Sequence, residues 1–273
     1  MHLNQSRALS IALSAVLTLC GCSHGPYSAT NKAYRKQTKR FARTLQEQPD
    51  VAANDSIRQP DAFVGTTNFS MRKPNFVILH HTDQKSCEQT LQTFTLPRTE
   101  VSAHYVICRD GTVHHMLNDY LRAHHAGLGK WGTVTDMNSC SIGIELDNDG
   151  SEPFPDAQIA SLLSLLGQLK SRYNIPTANF IGHADFAPIR KKDPSVFFPW
   201  KLLAQHGYGL WYKETPDSLP ANFSHLTALR ALGYDTKDSL AAFKAFKRHF
   251  MHDDSTRRFT EADKQVLYRL LEQ

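Results

Sequence analysis

Four apolar residues in a row, Phe76-Val77-Ile78-Leu79, followed at once by His80, His81 and Thr82, constrain this chain more than any other segment. A strand with one wet face alternates apolar and polar side chains, whereas an unbroken apolar run suits a strand covered on both faces. Burial on two sides requires a sheet with other layers packed on it. The polar residues that follow then stand at the strand's C-terminal end, where α/β folds gather functional groups.

Other segments extend the pattern. Residues 103–108 and 112–116 read as strands joined at Asp110-Gly111, a hairpin signal. Ser141–Leu146 is a further strand, and Phe180-Ile181 a last short one leading into Gly182-His183. Residues 87–94 suit a short helix. Asp156–Tyr173 is the strongest helix, with Ile159, Leu162, Leu163, Leu166 and Leu169 at helical spacing. Strands alternating with helices, with one hairpin included, predict an α/β fold with a mixed central β-sheet flanked by helices. After Trp211 the texture changes. A polar, proline-bearing link precedes helical patterns near 223–232, 239–250 and 260–271, which predict a small C-terminal three-helix module.

The N-terminus reads as a targeting segment. MHLNQSRALSIALSAVLTLCGC has Arg7 as its only charge, and its apolar run over 8–19 has the length of a signal-peptide core rather than a membrane span. Leu19-Cys20-Gly21-Cys22 resembles a bacterial lipobox. That resemblance implies cleavage before Cys22 and its lipidation, and Ser23 in place of Asp implies sorting to the periplasmic side of the outer membrane. Six cations (Lys32, Arg35, Lys36, Lys39, Arg40, Arg43) precede the first acid, Glu47. They suit either a basic helix near a membrane or polymer surface or a solvated linker. The net charge of +5 is mild for 273 residues and does not argue for nucleic acid. Cys87, Cys108 and Cys140 remain beyond Cys22. In an oxidising compartment an odd number leaves at most one internal pair, and their spacing matches no zinc knuckle.

The polar residues at strand ends carry the chemistry. His80 follows the first strand, Glu145 lies within SIGIEL, His183 follows the last strand, and Asp193 sits on the loop beyond it. Two neutral imidazoles and one carboxylate form a common ligand set for a catalytic zinc, with one position left to water. Such a metal lowers the water's pKa to about 7. A carboxylate outside the ligand set can then take the proton. Glu145 suits that role because an acid within an apolar strand needs a reason to be there. A cation such as Lys191 can meet the developing oxyanion. Spacing alone also permits plainer readings: packed histidines, a Glu145 facing solvent on an edge strand, and a turn at Asp193-Pro194.

The segments VILHHT, VSAHYVICRDG, RAHHAG, SIGIEL and GHADFAPIRKKDPSVFFPW occur in that order across residues 75–200. Together they resemble the zinc-dependent N-acetylmuramoyl-L-alanine amidases of the phage-lysozyme and peptidoglycan-recognition-protein type, and the periplasmic lipoprotein amidases among them. The resemblance implies that His80, His183 and Asp193 bind Zn2+, that Glu145 is the general base, and that Lys191 stabilises the tetrahedral intermediate. It also implies that His104 and His125 line the substrate groove, with peptidoglycan or muropeptides as substrate. Arg190 or Lys192 is placed to steady a carboxylate. Two departures stand out: IRKKDPS lacks both glycines of the usual GRKxDPG, and His124 replaces the usual tryptophan before HAG. LRALGYD and FKAFKRHF resemble a three-helix peptidoglycan-binding module. The resulting organisation is signal peptide 1–21, lipidated cysteine and tether 22–70, zinc amidase domain 71–213 and helical module 214–273, acting as a monomer. A non-catalytic peptidoglycan-binding lipoprotein is the alternative, and it would be expected to lack one of the metal ligands.

Overall fold

The computed structural model describes residues 25–46, 66–213, 218–256 and 258–272; the expected signal peptide and Cys22 lie outside them. The chain divides into two compact units, Met1–Thr66 and Thr67–Gln273. In the first, the basic stretch forms helix α1 (Ser28–Gln46), which buries none of its residues. At 3.6 residues per turn, Tyr34, Phe41 and Leu45 fall on one side of α1 and its six cations on the other. No helix among the described residues is long and apolar enough to cross a membrane.

The second unit is built on five strands: β1 (Phe76–His81), β2 (Tyr105–Ile107), β3 (Val113–His115), β4 (Ser141–Leu146) and β5 (Phe180–Gly182). Their order is β3-β2-β4-β1-β5. β1 runs parallel to β4 and β5, and β2 runs parallel to β4, while β3 returns antiparallel along β2. This is the mixed sheet that the sequence predicts. β1 lies between two parallel neighbours, which explains its apolar run: Val77, Ile78 and Leu79 have no exposed surface. The hairpin turns at Gly111, whose φ of 86° favours glycine.

Successive side chains leave opposite faces of the sheet. One face presents Val77, Leu79, Ile142, Ile144 and Leu146 to helix α4 (Asp156–Tyr173), which answers with Ile159, Leu162, Leu166 and Leu169. Burying a side chain of that size contributes about 1.5–3 kcal/mol. Asp156 places an acid in the first turn of α4, where the helix dipole favours it, and the left-handed Asn174 ends the helix. The other face packs Phe76, Ile78 and Ile181 against Met137 and Phe186, from the short helices α3 (Met137–Cys140) and α5 (His183–Phe186).

Cys87 opens helix α2 (Cys87–Thr95) and is bonded to Cys108 just beyond β2, leaving Cys140 as the free thiol among the described residues. His114 lies close to the bridged pair, but a disulfide offers no thiolates to a metal. After the short helix α6 (Trp200–Gln205), the C-terminal patterns form α7 (His225–Leu232), α8 (Ser239–Met251) and α9 (Glu261–Leu271), around a core that includes Leu229, Ala242, Phe246 and Leu267. That core also takes in Ala184 of α5. Beside it, the buried Asp185 carboxylate accepts from the Tyr234 hydroxyl at 2.8 Å and the Gly182 N–H at 2.7 Å, and meets His249 Nδ1 at 2.8 Å.

Candidate active site

His80 and Glu145 are partners in the β1–β4 register. Residues opposite one another in a parallel pair share a face, so both look away from α4. His183 begins α5 where β5 ends. The loop after α5 folds back, and the Asp193 carbonyl accepts from the Ala184 N–H at 2.8 Å. His80 Nδ1 then lies 2.9 Å from His183 Nδ1 and 2.9 Å from Asp193 Oδ2, with His183 Nδ1 and Asp193 Oδ2 3.0 Å apart. All three residues are buried. No residue of the loop from 187 to 195 has a positive φ, so Ile189 and Ser195 stand in place of glycines without strain.

The hydrogen bonds around these three side chains fit a metal. His183 Nε2 meets the Ala126 carbonyl at 2.8 Å. A carbonyl can only accept, so the ring nitrogen on that side carries the proton, and in the neutral ring Nδ1 holds a bare lone pair. That lone pair points at a carboxylate oxygen and a second imidazole nitrogen. Burial, reinforced by the nearby His183, lowers the His80 pKa to about 4, so its ring stays neutral near pH 7. Electron pairs converging without a proton between them suit a cation, and a nitrogen–nitrogen–oxygen set of this kind suits zinc.

A cavity of about 510 Å³ opens over the three ligands and is lined also by Glu145, Lys191, His124 and His125. The Glu145 Oε2 atom is buried without a hydrogen-bond partner. Burial pushes the Glu145 pKa well above the usual carboxylate range; the Asp193 charge adds to this and Lys191 opposes it. A group so placed holds a proton more readily than a solvated glutamate does.

His125 lines the cavity but directs its ring inward, with Nδ1 3.1 Å from His80 Nε2 and Nε2 3.1 Å from Ser141 Oγ. Gly143 makes room for it, since a Cβ there would lie 2.4 Å from the ring. His104 has no exposed surface and lies outside the cavity lining. Its Nδ1 accepts from the Gly143 N–H at 3.0 Å, and its Nε2 meets the Leu121 carbonyl at 3.0 Å. Arg190 bonds the Ala126 and Leu128 carbonyls, which fixes the segment that orients His183 rather than a carboxylate. Arg72 plays a similar part that the sequence did not disclose: it reaches the carbonyls of Asp119, Tyr120, Leu121 and Ser139. Ser141 and the Ala126 carbonyl also went unforeseen. A serine inside a strand and a backbone oxygen carry no motif.

Residues 70–196, which hold the five described strands and His80, His183 and Asp193, match the family model described as N-acetylmuramoyl-L-alanine amidase. The chain is similar to the N-acetylmuramoyl-L-alanine amidase AmiD of Escherichia coli, 29% identical over 87% of this chain and 88% of that protein. It is also similar to the 1,6-anhydro-N-acetylmuramyl-L-alanine amidase AmpD of Haemophilus influenzae, 38% identical over 37% of this chain and 55% of that one. Among solved structures, AmpDh3 of Pseudomonas aeruginosa superposes with a TM-score of 0.68 at 26% identity, covering 79% of this chain and 98% of that one. The fold, the three converging side chains and these likenesses agree: residues 70–196 form an N-acetylmuramoyl-L-alanine amidase domain, and the chain acts as such an amidase on peptidoglycan or its muropeptides.

Proposed function

We propose that the metal is zinc, held by His80, His183 and Asp193, and that Glu145 and Lys191 complete the catalytic set. A zinc ion held there would supply Lewis acidity and lower the pKa of a nearby water to about 7. Glu145 takes the proton from the water that attacks the lactyl carbonyl joining N-acetylmuramic acid to L-alanine. It then passes that proton to the departing amine of L-alanine, and its raised pKa suits the transfer. Lys191, on the cavity wall, meets the oxyanion of the tetrahedral intermediate. The products are a free stem peptide and a glycan with its lactyl carboxylate restored. His125, and His104 behind it, support the groove from below.

The observation that carries this reading is the 2.9–3.0 Å triangle of ligand atoms on the floor of a cavity that also holds Glu145. AmiD of E. coli was solved with anhydro-N-acetylmuramic acid-L-Ala-D-gamma-Glu-L-Lys, and AmpDh3 of P. aeruginosa with an anhydromuramic pentapeptide. Muramyl peptides are therefore the substrates to test first. We further propose that Cys22 is lipidated and anchors the protein to the outer membrane, with α1 close to that surface, and that α7–α9 contact the glycan polymer.

The test incubates the mature chain, unlipidated through Cys22→Ser, with sacculi and with soluble muropeptides, with and without a chelator. Chelation should abolish release of peptides beginning with L-alanine, and added zinc should restore it. Cleavage that survives chelation would rule out the metal. Glu145→Gln should lower turnover by roughly 10²–10⁴-fold while zinc stays bound; retained turnover removes Glu145 from the base role.

A further inference from the structure

We infer that Ser141 and His125 are positioning residues that relay a hydrogen-bond polarity from the Met137 carbonyl to His80, so that His80 presents a bare Nδ1 to the metal. The inference rests on the zinc reading only for its consequence; the relay itself is a property of the protein without metal.

The polarity follows from one fixed end. Ser141 Oγ lies 2.5 Å from the Met137 carbonyl oxygen. A carbonyl has no proton, so the hydroxyl donates its only proton there. Ser141 Oγ is then an acceptor toward His125 Nε2, 3.1 Å away, and that nitrogen carries the N–H. The neutral His125 ring therefore has its lone pair on Nδ1, and Nδ1 accepts from His80 Nε2 at 3.1 Å. With its proton on Nε2, His80 leaves Nδ1 free, and Nδ1 is the atom that faces His183 and Asp193. Each link removes one of two tautomers, and the last removes the one that could not bind a metal.

The surroundings hold the relay in place. Ser141, His80 and His125 are all buried. The backbone N–H groups of His125 and Ala126 both donate to Asn138 Oδ1, at 3.0 and 2.8 Å. The absent side chain of Gly143 lets the His125 ring lie against β4. The rings of His80 and His125 meet edge-on, with centroids 5.2 Å apart. His183 reaches the same end by a shorter route, directly from the Ala126 carbonyl. One ligand is set by a backbone oxygen in direct contact and the other through two side chains, so a point substitution can reach only the second.

The test uses ¹⁵N-labelled full-length mature chain and two readouts. In the metal-free protein, long-range ¹H–¹⁵N spectra should show His80, His125 and His183 all as Nε2–H tautomers. Ser141→Ala should mix the tautomers of His125 and His80, leave His183 unchanged, and weaken zinc binding, measured against a competing chelator, by roughly 10- to 100-fold. Ser141→Thr keeps a hydroxyl and should restore both. An Nδ1–H tautomer of His80 in the wild type overturns the relay. So does a folded Ser141→Ala protein with wild-type tautomers and affinity, or one that loses thermal stability with its tautomers unmoved. Failure of the wild type to bind zinc would instead sink the metal reading, and the tautomer spectra would still decide the relay.

Discussion

The two faces of the central sheet are made by alternate residues of the same strands, yet they do different work. Val77, Leu79, Ile142 and Ile144 point toward α4 into continuous hydrocarbon. Their neighbours His80, Ser141, Gly143 and Glu145 point the other way, into a lattice of polar bonds and a cavity. On this face a polar group is admitted only with its partners, as the Tyr105 and Tyr173 hydroxyls are with Asp119, since an unmatched one costs a few kcal/mol. The polar face instead gathers buried acceptors and a raised carboxylate that few folds would tolerate without a use for them. A strand period of two thus lets one six-residue segment serve stability and chemistry at once.

This division can be broken from either side. The largest effect is expected on the polar face: His183→Ala should lose the metal and lower turnover on the order of a thousandfold or more. Its circular dichroism should stay that of the folded chain. A variant that keeps its zinc would show that the ligand set is wrong. On the hydrocarbon face, Ile144→Ala removes a side chain with no exposed surface. It should cost about 2–5 kcal/mol in urea unfolding while zinc affinity and kcat of the folded fraction stay within about twofold. A matching loss of zinc affinity would mean that the faces cannot be separated.

The smallest effect concerns acid. Burial lowers His80 and His104 each to about 4, against about 6.5 when unfolded. Between those values the unfolded chain binds protons that the folded chain refuses, so stability is full above about pH 6.5 and falls as pH drops toward 4. For the metal-free protein, His104→Asn should remove its own share of that slope, to which the buried His125 also adds, a change of about 2–3 kcal/mol at most across the window. An unchanged slope would show that His104 takes up a proton without cost.

Much of this was legible in the residues. Phe76-Val77-Ile78-Leu79 announced a strand covered on both sides, and the leucines of Asp156–Tyr173 announced the helix that covers one of them. The ordered motifs pointed to the three side chains that converge, His80, His183 and Asp193, and to Glu145, which lines the same cavity. What stayed hidden was set by tertiary contact. Helices α3 and α5 have four residues each, too few for a periodic signal. The partner of Cys87 depended on where α2 and β2 came to lie. Arg72 acts on carbonyls 47 to 67 residues away. The basic stretch admitted a linker or a helix, and it is a helix.

Asp185 stands two residues after His183, and two of its three partners, Tyr234 and His249, belong to the C-terminal part of the chain. A further bond runs from His252 Nδ1 to the Val196 carbonyl, 2.7 Å away and just past Asp193. The tail therefore grips both ends of the stretch that carries His183 and Asp193. Ending the chain at residue 213 would not detach a passive appendage. It would strip the buried Asp185 carboxylate of two of its three hydrogen-bond partners and open a wet gap directly behind His183.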